Sequence, residues 1–167
     1  MAAQQTNDGD PGTGSSAERL WSTSVGNDLA FLLARANALS LARMHTVLAP
    51  FGLRTRSYSV LSIAASDARP SQRELSDFLR LDPSQIVSLI DQLEGAGLVR
   101  REPDPRDRRA NVVVATDAGR ALVEEARRTV IDSDRAWFAV LSEDEREQLF
   151  SALHRLATGA AAQFADA

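Results

Sequence analysis

Residues 93–109 read LEGAGLVRREPDPRDRR, and this stretch decides how the chain folds. Gly95 and Gly97 favour the end of a helix, and the Asp-Pro pair at Asp104 favours a tight turn. The run Val112-Val113-Val114 follows shortly afterwards and is typical of a β-strand. The stretch therefore predicts a β-hairpin, over strands 98–101 and 110–115, with several arginines at its tip.

Two short helices are predicted directly before this hairpin. Ser71 and Glu74 have the spacing of a capping box, which predicts the start of one helix there. Asp82 is the expected N-cap of the next helix, with Pro83 in the first turn and Gln85 completing a second box. A helix-turn-helix followed by a basic hairpin is a winged helix-turn-helix, an architecture that binds duplex DNA.

The apolar residues of these helices recur at helical spacing and are expected to face a shared core. The predicted inward residues of the first helix are Leu75, Phe78 and Leu79, and those of the second are Ile86, Leu89, Ile90 and Leu93. Ser84, Gln85, Ser88 and Gln92 lie opposite that second stripe. The polar face of this recognition helix is therefore the expected reader of DNA.

The remaining chain predicts a mainly α fold (α+β). Helices are expected over about 17–48, 55–66 and 116–140, and from Ser142 onward. The predicted organisation is a disordered tail at 1–16, a helical dimerisation region at 17–53 and 117–165, and a DNA-binding domain at 54–116. The terminal helices carry apolar stripes without a further layer to cover them, which favours a homodimer. The alternative is that these helices pack only within one chain.

Composition excludes several classes of protein. The 167 residues include no cysteine, so disulfides and thiolate metal sites are absent. No glycine-rich phosphate loop, metal-ligand cluster or nucleophile motif is present, so we expect neither an enzyme nor a cofactor. No apolar run is long enough for a membrane span, and the N-terminus lacks secretory features, which predicts a cytoplasmic protein.

The net charge is −4, but residues 54–109 hold ten Arg against nine acids, so the acidic excess lies elsewhere.

The motifs and their order resemble the MarR family of bacterial transcription regulators. They are Gly52-Leu53, Glu74-Leu75, residues 93–101, residues 104–109 and Thr116-Asp117-Ala118-Gly119. The resemblance implies a triangular homodimer with winged-helix lobes at two corners and the terminal helices at the third. It also implies a repressor that small, often aromatic, anionic ligands release from double-stranded DNA.

The residues themselves and the family resemblance together predict specific DNA contacts. Gln85 can form the paired hydrogen bonds that read adenine, and Ser84 can contact a phosphate or a base edge. Ser88 stands where the family often has an arginine. The resemblance places Arg109 in the minor groove and gives Asp107 a structural pairing with Arg101 or Arg100. Weaker or additional phosphate contacts are predicted at Arg106, Arg108, Arg54, Arg56, Ser71 and Arg73. The alternative is a merely solvated run of charges.

The resemblance also implies an effector pocket between the dimerisation region and the DNA-binding domain. Trp21, His45, Arg56 and Tyr58 could supply its walls and an anion-binding group, although packing at the dimer interface is favoured for Trp21 and a surface or packing role for His45. Ser59 replaces an acidic residue typical of the urate-responsive branch, which argues against urate. The rival function is a winged-helix protein–protein interaction module without specific DNA binding.

Overall fold

The computed structural model describes residues 16–104 and 110–163. In chain order the elements are α1 (Ser16–Trp21), α2 (Leu29–Leu48), α3 (Thr55–Ala64), α4 (Gln72–Leu79), α5 (Pro83–Gly95), β1 (Val99–Pro103), β2 (Asn111–Ala115), α6 (Asp117–Trp137) and α7 (Glu143–Gln163). Short 3₁₀ turns lie at Ser24–Asn27, Ala49–Phe51 and Phe138–Val140. The predicted mainly helical fold with a two-stranded β-wing is confirmed. The chain divides into two compact units between Arg43 and Met44, and each is described by itself.

One prediction for the first unit is wrong, because the helix expected over 17–48 is interrupted. Helix α1 ends at Trp21, and α2 starts only at Leu29. Asp28 caps α2, its Oδ1 accepting from the backbone N–H of Ala30 at 2.8 Å. Gly26 lies so close to the Trp21 carbonyl that a Cβ there would collide with it. The Asp28 cap and the close approach of Gly26 to Trp21 therefore separate α1 from α2, although the apolar periodicity continues through this region.

The second unit is built around the recognition helix α5. Helices α3 and α4 both pack on α5, and α6 packs on α3. The expected stripe of α5 is confirmed, since Ile86, Ile90 and Leu93 are buried and Leu89 is partly buried against the same core. The rest of this core comes from neighbouring elements and includes Leu48, Leu53, Val60, Leu61, Leu75, Val99, Val113, Ala126 and Val130. The core therefore holds the two helices of the predicted helix-turn-helix as one body.

The inward face predicted for α4 is partly wrong. Leu75 and Ser76 are buried, whereas Phe78 is 77% exposed. At 100° per residue, Phe78 lies roughly 200° around the helix from Ser76, which points it away from the core. The buried Ser76 hydroxyl is satisfied, since its Oγ donates to the Leu81 carbonyl at 2.6 Å. That hydrogen bond spans the tight turn between α4 and α5.

The wing is an antiparallel pair in which Val99 lies opposite Ala115 and Pro103 opposite Asn111. Strand β1 runs two residues beyond the predicted end at 101. The Asp104 N–H donates to the Ala110 carbonyl at 2.8 Å, which closes the described part of the hairpin. The Val113 N–H donates to the Pro70 carbonyl at 2.8 Å, so the segment leading into α4 lies alongside β2.

Three predicted helix caps are confirmed. Ser71 and Glu74 form the reciprocal capping box of α4. Thr116 Oγ1 accepts from the Gly119 N–H at 3.0 Å at the start of α6, which ends at Trp137 rather than near 140. Ser142 caps α7, with its Oγ accepting from the Glu145 N–H at 3.3 Å. Each cap satisfies a backbone donor that the first helical turn leaves free.

Candidate DNA interface

The N-terminus of α5 is shaped by the Asp82 carboxylate. Asp82 Oδ1 accepts from the Ser84 N–H at 2.8 Å and from the Ser84 hydroxyl at 2.5 Å. These hydrogen bonds, that of the hydroxyl first, lower the pKa of Asp82, so the carboxylate is ionised at neutral pH. The hydroxyl proton of Ser84 is thus used within the cap, and only its oxygen lone pairs remain for an outside donor. The box expected to include the Gln85 side chain is replaced by this Asp82–Ser84 pair.

The polar face of α5 is open to solvent. Ser84, Gln85 and Ser88 are all exposed. The Ser88 Oγ accepts from the Gln92 amide at 3.2 Å, one turn further along the same face. A cleft of about 350 Å³ runs beside these residues and is lined by Arg56, Ser84, Gln85, Ser88 and Leu89. The structure therefore brings Arg56, from the first turn of α3, to the face that sequence reasoning assigned to DNA.

Arg101 connects β1 to the recognition helix. Its Nη2 donates to Asp91 Oδ1 at 2.5 Å, and its Nη1 donates to Glu94 Oε2. Its backbone N–H also donates to Glu94 Oε1, at 3.1 Å. The Arg101 side chain is only 22% exposed, and the hydrogen bond to Asp91 is the main cause of its raised pKa. This arrangement fixes the base of the wing against α5.

A second ion-pair cluster lies on the other side of β1. Glu102 accepts from Arg69 Nη2 and from Arg100 Nε, both at 2.6 Å. These bonds, Arg69 first, lower the pKa of Glu102 and keep it ionised. Arg69 belongs to the turn before α4 and has a positive φ of 45°. Sequence reasoning missed Arg69 and Glu102, because a pair 33 residues apart leaves no local signal.

The wing-tip residues expected to enter the minor groove or contact phosphate lie outside the described residues. They are Arg106, Asp107, Arg108 and Arg109. Their roles, including the pairing of Asp107 with Arg101, therefore stay predictions. The structure gives Arg101 two carboxylate partners on α5 in addition to any pairing at the tip.

The weaker phosphate candidates lie on the same unit as α5. Arg73 is exposed at the start of α4, with its Nε 3.8 Å from the Asp77 carboxylate. Ser71 Oγ is engaged with Glu74 Oε2 at 2.7 Å. Arg54 is exposed directly before α3, where its N–H donates to Ser57 Oγ at 2.9 Å. Arg54 and Arg73 keep their guanidinium groups available to solvent, whereas Ser71 serves chiefly as a cap.

The four residues suggested for an effector pocket are not gathered in one cavity. Arg56 lines the cleft beside α5, and Tyr58 lines a separate cavity of about 650 Å³ between α3 and α6. His45 is exposed on α2. Trp21 belongs to the first unit, where it packs edge-on against Phe31 with ring centroids 6.3 Å apart.

The α3–α6 cavity contains cationic groups and an unsatisfied hydroxyl. It is lined by Tyr58, Ser62, Ala65, Ser66, Arg120, Ala121, Val123, Glu124 and Arg127. Ser62 Oγ is buried and has no hydrogen-bond partner among the described residues. Arg120 Nη1 donates to the Ala65 carbonyl at 2.9 Å, whereas Arg127 makes no such bond to any described residue. The cavity thus offers a free guanidinium and a hydroxyl to a polar ligand.

Two kinds of site find no support in the described part of the chain. Residues 16–104 and 110–163 contain no group of three His, Asp or Glu side chains arranged to hold a metal ion. Over the same residues, none of the helices combines the length and apolar character needed to cross a bilayer.

Comparison with known sequences relates this chain to transcriptional regulators. The family model described as MarR family matches residues 53–110. A Thauera aromatica protein described as a transcriptional regulator for the hcr operon is 30% identical over 134 residues, covering 80% of this chain and 81% of its own length. The HTH-type transcriptional regulator PecS of Dickeya dadantii is 28% identical over 127 residues, 74% of this chain and 76% of its own.

Solved structures agree with the sequence comparisons. CouR from Rhodococcus jostii RHA1, crystallised with p-coumaroyl-CoA, is 39% identical with a TM-score of 0.76, covering 81% of this chain and 96% of its own. The transcriptional repressor CouR bound to a 23-mer DNA duplex is 29% identical with a TM-score of 0.74, covering 80% of this chain and 94% of that one.

Proposed function

Since the chain belongs to the MarR family of winged helix-turn-helix transcriptional regulators, we propose that it represses genes as a homodimer on a pseudo-palindromic operator and is released by a small anionic effector. The observation that carries the proposal is the attachment of the wing to the recognition helix through Arg101. It couples a polar, exposed helix face to a hairpin whose tip sequence holds Arg106, Arg108 and Arg109. Such a pair suits one major groove and its neighbouring minor groove.

In the proposed complex, α5 lies in the major groove with Gln85 and Ser88 toward base edges. Arg109 enters the minor groove, where narrow A·T-rich segments concentrate negative potential. Exposed arginines at Arg54 and Arg73 contact phosphates and position the lobe. Two copies then read half-sites separated by about one helical turn, roughly 10 bp.

Dimerisation is supported by apolar surface that a single chain leaves open. On α7, Leu149, Phe150, Leu153 and Leu156 are 38%, 72%, 40% and 60% exposed. Helix α2 likewise exposes Leu29, Phe31, Leu32, Leu33, Leu39 and Leu41. Several large apolar side chains exposed on one helix favour an association surface. A second copy of the chain covers this surface and gives the dimer the two-fold symmetry that matches a pseudo-palindromic operator.

The effector is proposed to bind in the α3–α6 cavity. Arg127 supplies an unpaired cation, while Tyr58 and Ser62 supply hydroxyl groups in a partly apolar wall. These groups suit an aromatic carboxylate or its coenzyme A thioester, the second class being the one that CouR from Rhodococcus jostii carries in its crystal structure. A ligand here touches α3 and α6 together, so its binding energy acts on the helix that supports α5.

DNA binding is tested by fluorescence anisotropy with the DNA upstream of the gene, beside scrambled duplex, at several salt concentrations. We expect sequence-preferring, salt-sensitive binding that collapses for Arg109→Ala. Binding of the variant equal to wild type would remove Arg109 from the interface. An interaction module without specific DNA binding would show neither preference over scrambled DNA nor a salt slope.

Effector binding is tested on the same complex by titration with p-coumaroyl-CoA, p-coumarate and coenzyme A. Release by one of the first two is expected, and it should weaken at least tenfold for Arg127→Ala. The matched control is Arg135→Ala, since Arg135 lies on the same helix, is 76% exposed and pairs with Asp132 at 3.4 Å, and neither residue lines the cavity. Equal sensitivity of the two variants would contradict the assignment of the cavity.

A further inference from the structure

The cleft beside the recognition helix has a single charged residue among those that line it. Arg56 from α3 lines the cleft together with Ser84, Gln85, Ser88 and Leu89 from α5. The Arg56 side chain is exposed and makes no hydrogen bond or ion pair with any residue in the described ranges. Whatever this face of α5 touches is therefore within reach of a free guanidinium contributed by a different helix.

The charge beside the cleft discriminates between two possible targets on DNA. Asp82, at the N-cap of α5, is an ionised carboxylate held by Ser84. That carboxylate offsets the attraction that the positive N-terminus of α5 exerts on a phosphate. The edge of a base carries no net charge and is tolerated there, so the cleft favours base contact over phosphate contact.

The hydrogen-bond donors in the cleft favour one kind of base. The Ser84 hydroxyl donates to Asp82, whereas Ser88, which accepts from Gln92, still has its own O–H to donate and Gln85 its amide N–H groups. The donors on this part of α5 are therefore neutral, and Arg56 adds the one charged donor among the residues that line the cleft, as a planar fork. The base edge that presents two acceptors in the major groove is guanine, through O6 and N7.

We infer that Arg56 reads a guanine in each half-site, working from α3 beside the recognition helix. This inference rests on the proposed DNA-binding function and adds a specificity residue outside α5. The guanidinium makes two parallel hydrogen bonds to the base, while Gln85 and Ser88 contact its neighbours. Losing this contact removes the preference for one base and leaves the rest of the site preference intact.

The test is selection of binding sites from a random duplex library with wild type, Arg56→Ala, Arg56→Lys and Arg54→Ala. Wild type should select a motif with one invariant guanine per half-site. For Arg56→Ala the preference for that guanine should disappear, and affinity for the wild-type site should fall by about tenfold or more. Arg56→Lys should not restore it, because an ammonium lacks the planar fork. Arg54→Ala, in the residue before the same helix, should weaken all sequences equally.

Three outcomes overturn the inference. If Arg56→Ala weakens all sequences uniformly, Arg56 is a phosphate contact. If Arg56→Lys restores wild-type selection, the planar fork of the guanidinium is not what reads the base. If wild type itself selects no motif, the proposed function fails and this inference fails with it. Failure of the inference alone is distinguishable from failure of the proposed function, since only the last outcome removes selection from the wild-type protein. Equal melting temperatures for all four proteins would show that folding is unaffected, as expected for an exposed, unpaired side chain.

Discussion

Gly119 lies where the first turn of α6 passes the chain leading into β1. A Cβ at this position would collide with the Leu98 carbonyl oxygen, which itself accepts from the Thr116 N–H at 3.0 Å. Because the neighbour is backbone, it has little room to move. We expect Gly119→Ala to lower the free energy of unfolding by about 1–3 kcal/mol in urea denaturation, as overpacked substitutions do.

Gly159→Ala is the matched control for that substitution. Gly159 lies within α7, and nothing stands within 4 Å of the position its Cβ would occupy. Here alanine should be neutral or stabilise the protein by up to about 1 kcal/mol, since glycine weakens a helix interior. A Gly119→Ala protein as stable as wild type would show that α6 can shift away from Leu98 without loss.

Individual residues were predictable from sequence where their partners are local. The caps at Ser71, Asp82 and Thr116 depend on residues within three positions, and each was identified correctly. Phe78 was assigned to the core in error, because spacing alone cannot distinguish two faces of an eight-residue helix. The partnership of Arg69 and Glu102 depends on the folded hairpin, so no local pattern could reveal it.

At the scale of elements, Arg101 should decide how the wing is held against α5. Arg101→Ala removes the bonds to Asp91 and Glu94, whose side chains are 58% and 38% exposed and can be rehydrated. The expected loss of stability is therefore only about 1 kcal/mol. DNA affinity should fall further than stability does, because the wing loses its fixed angle to the recognition helix.

The measurement is urea denaturation beside anisotropy binding at one salt concentration. Arg135→Ala serves as the control, since Arg135 forms an exposed pair with Asp132 at 3.4 Å within α6. It should change neither quantity appreciably. Wild-type DNA affinity in Arg101→Ala would mean that the sheet alone positions the wing.

The other side of β1 should make stability depend on pH. The pKa of Glu102 is lowered from its ordinary value of 4.5 in the folded protein, chiefly by Arg69. The unfolded chain therefore takes up this proton first as the pH falls, so the stabilisation present above the unfolded value is lost on acidification. Glu102→Gln should show a shallower decline in unfolding free energy from about pH 5 to about pH 3.

Glu147→Gln controls for the loss of one acidic charge. Glu147 is exposed on α7 and makes no hydrogen bond to another described residue. Its pH profile should follow wild type. Parallel profiles for wild type and Glu102→Gln would show that the cluster around Glu102 contributes nothing to acid sensitivity.

Elements were predictable to the extent that their signals are periodic. Helix α5 and the two strands were located within about two residues, because apolar stripes and β-branched runs coincide with turn residues at their ends. The break between α1 and α2 was missed, since apolar residues continue through it. The break depends on the Asp28 cap and on the close approach of Gly26 to the Trp21 carbonyl, and the spacing of apolar residues reveals neither.

For the molecule as a whole, the sequence predicted which helix faces are apolar and favoured a second copy of the chain as the partner that covers them. On α7, Leu149, Leu153 and Leu156 recur at helical spacing, and all three are substantially exposed in one chain. Burial of such a surface contributes about 25 cal/mol per Å² before the costs of association. The homodimer stays a prediction, because the contact between two copies is a property of two chains and leaves no pattern of its own in one sequence.

Leu153→Glu should therefore convert the protein from a dimer to a monomer. Light scattering after size exclusion should give wild type twice the 18.1 kDa of one chain and the variant that mass alone. Ser151→Glu, on the exposed opposite side of α7, should remain dimeric. A monomer engages one half-site at a time, so its affinity for the full operator should fall by roughly 10²–10⁴ while its affinity for an isolated half-site stays unchanged. A monomeric wild type, or a dimeric Leu153→Glu, would show that this stripe is not the dimer surface.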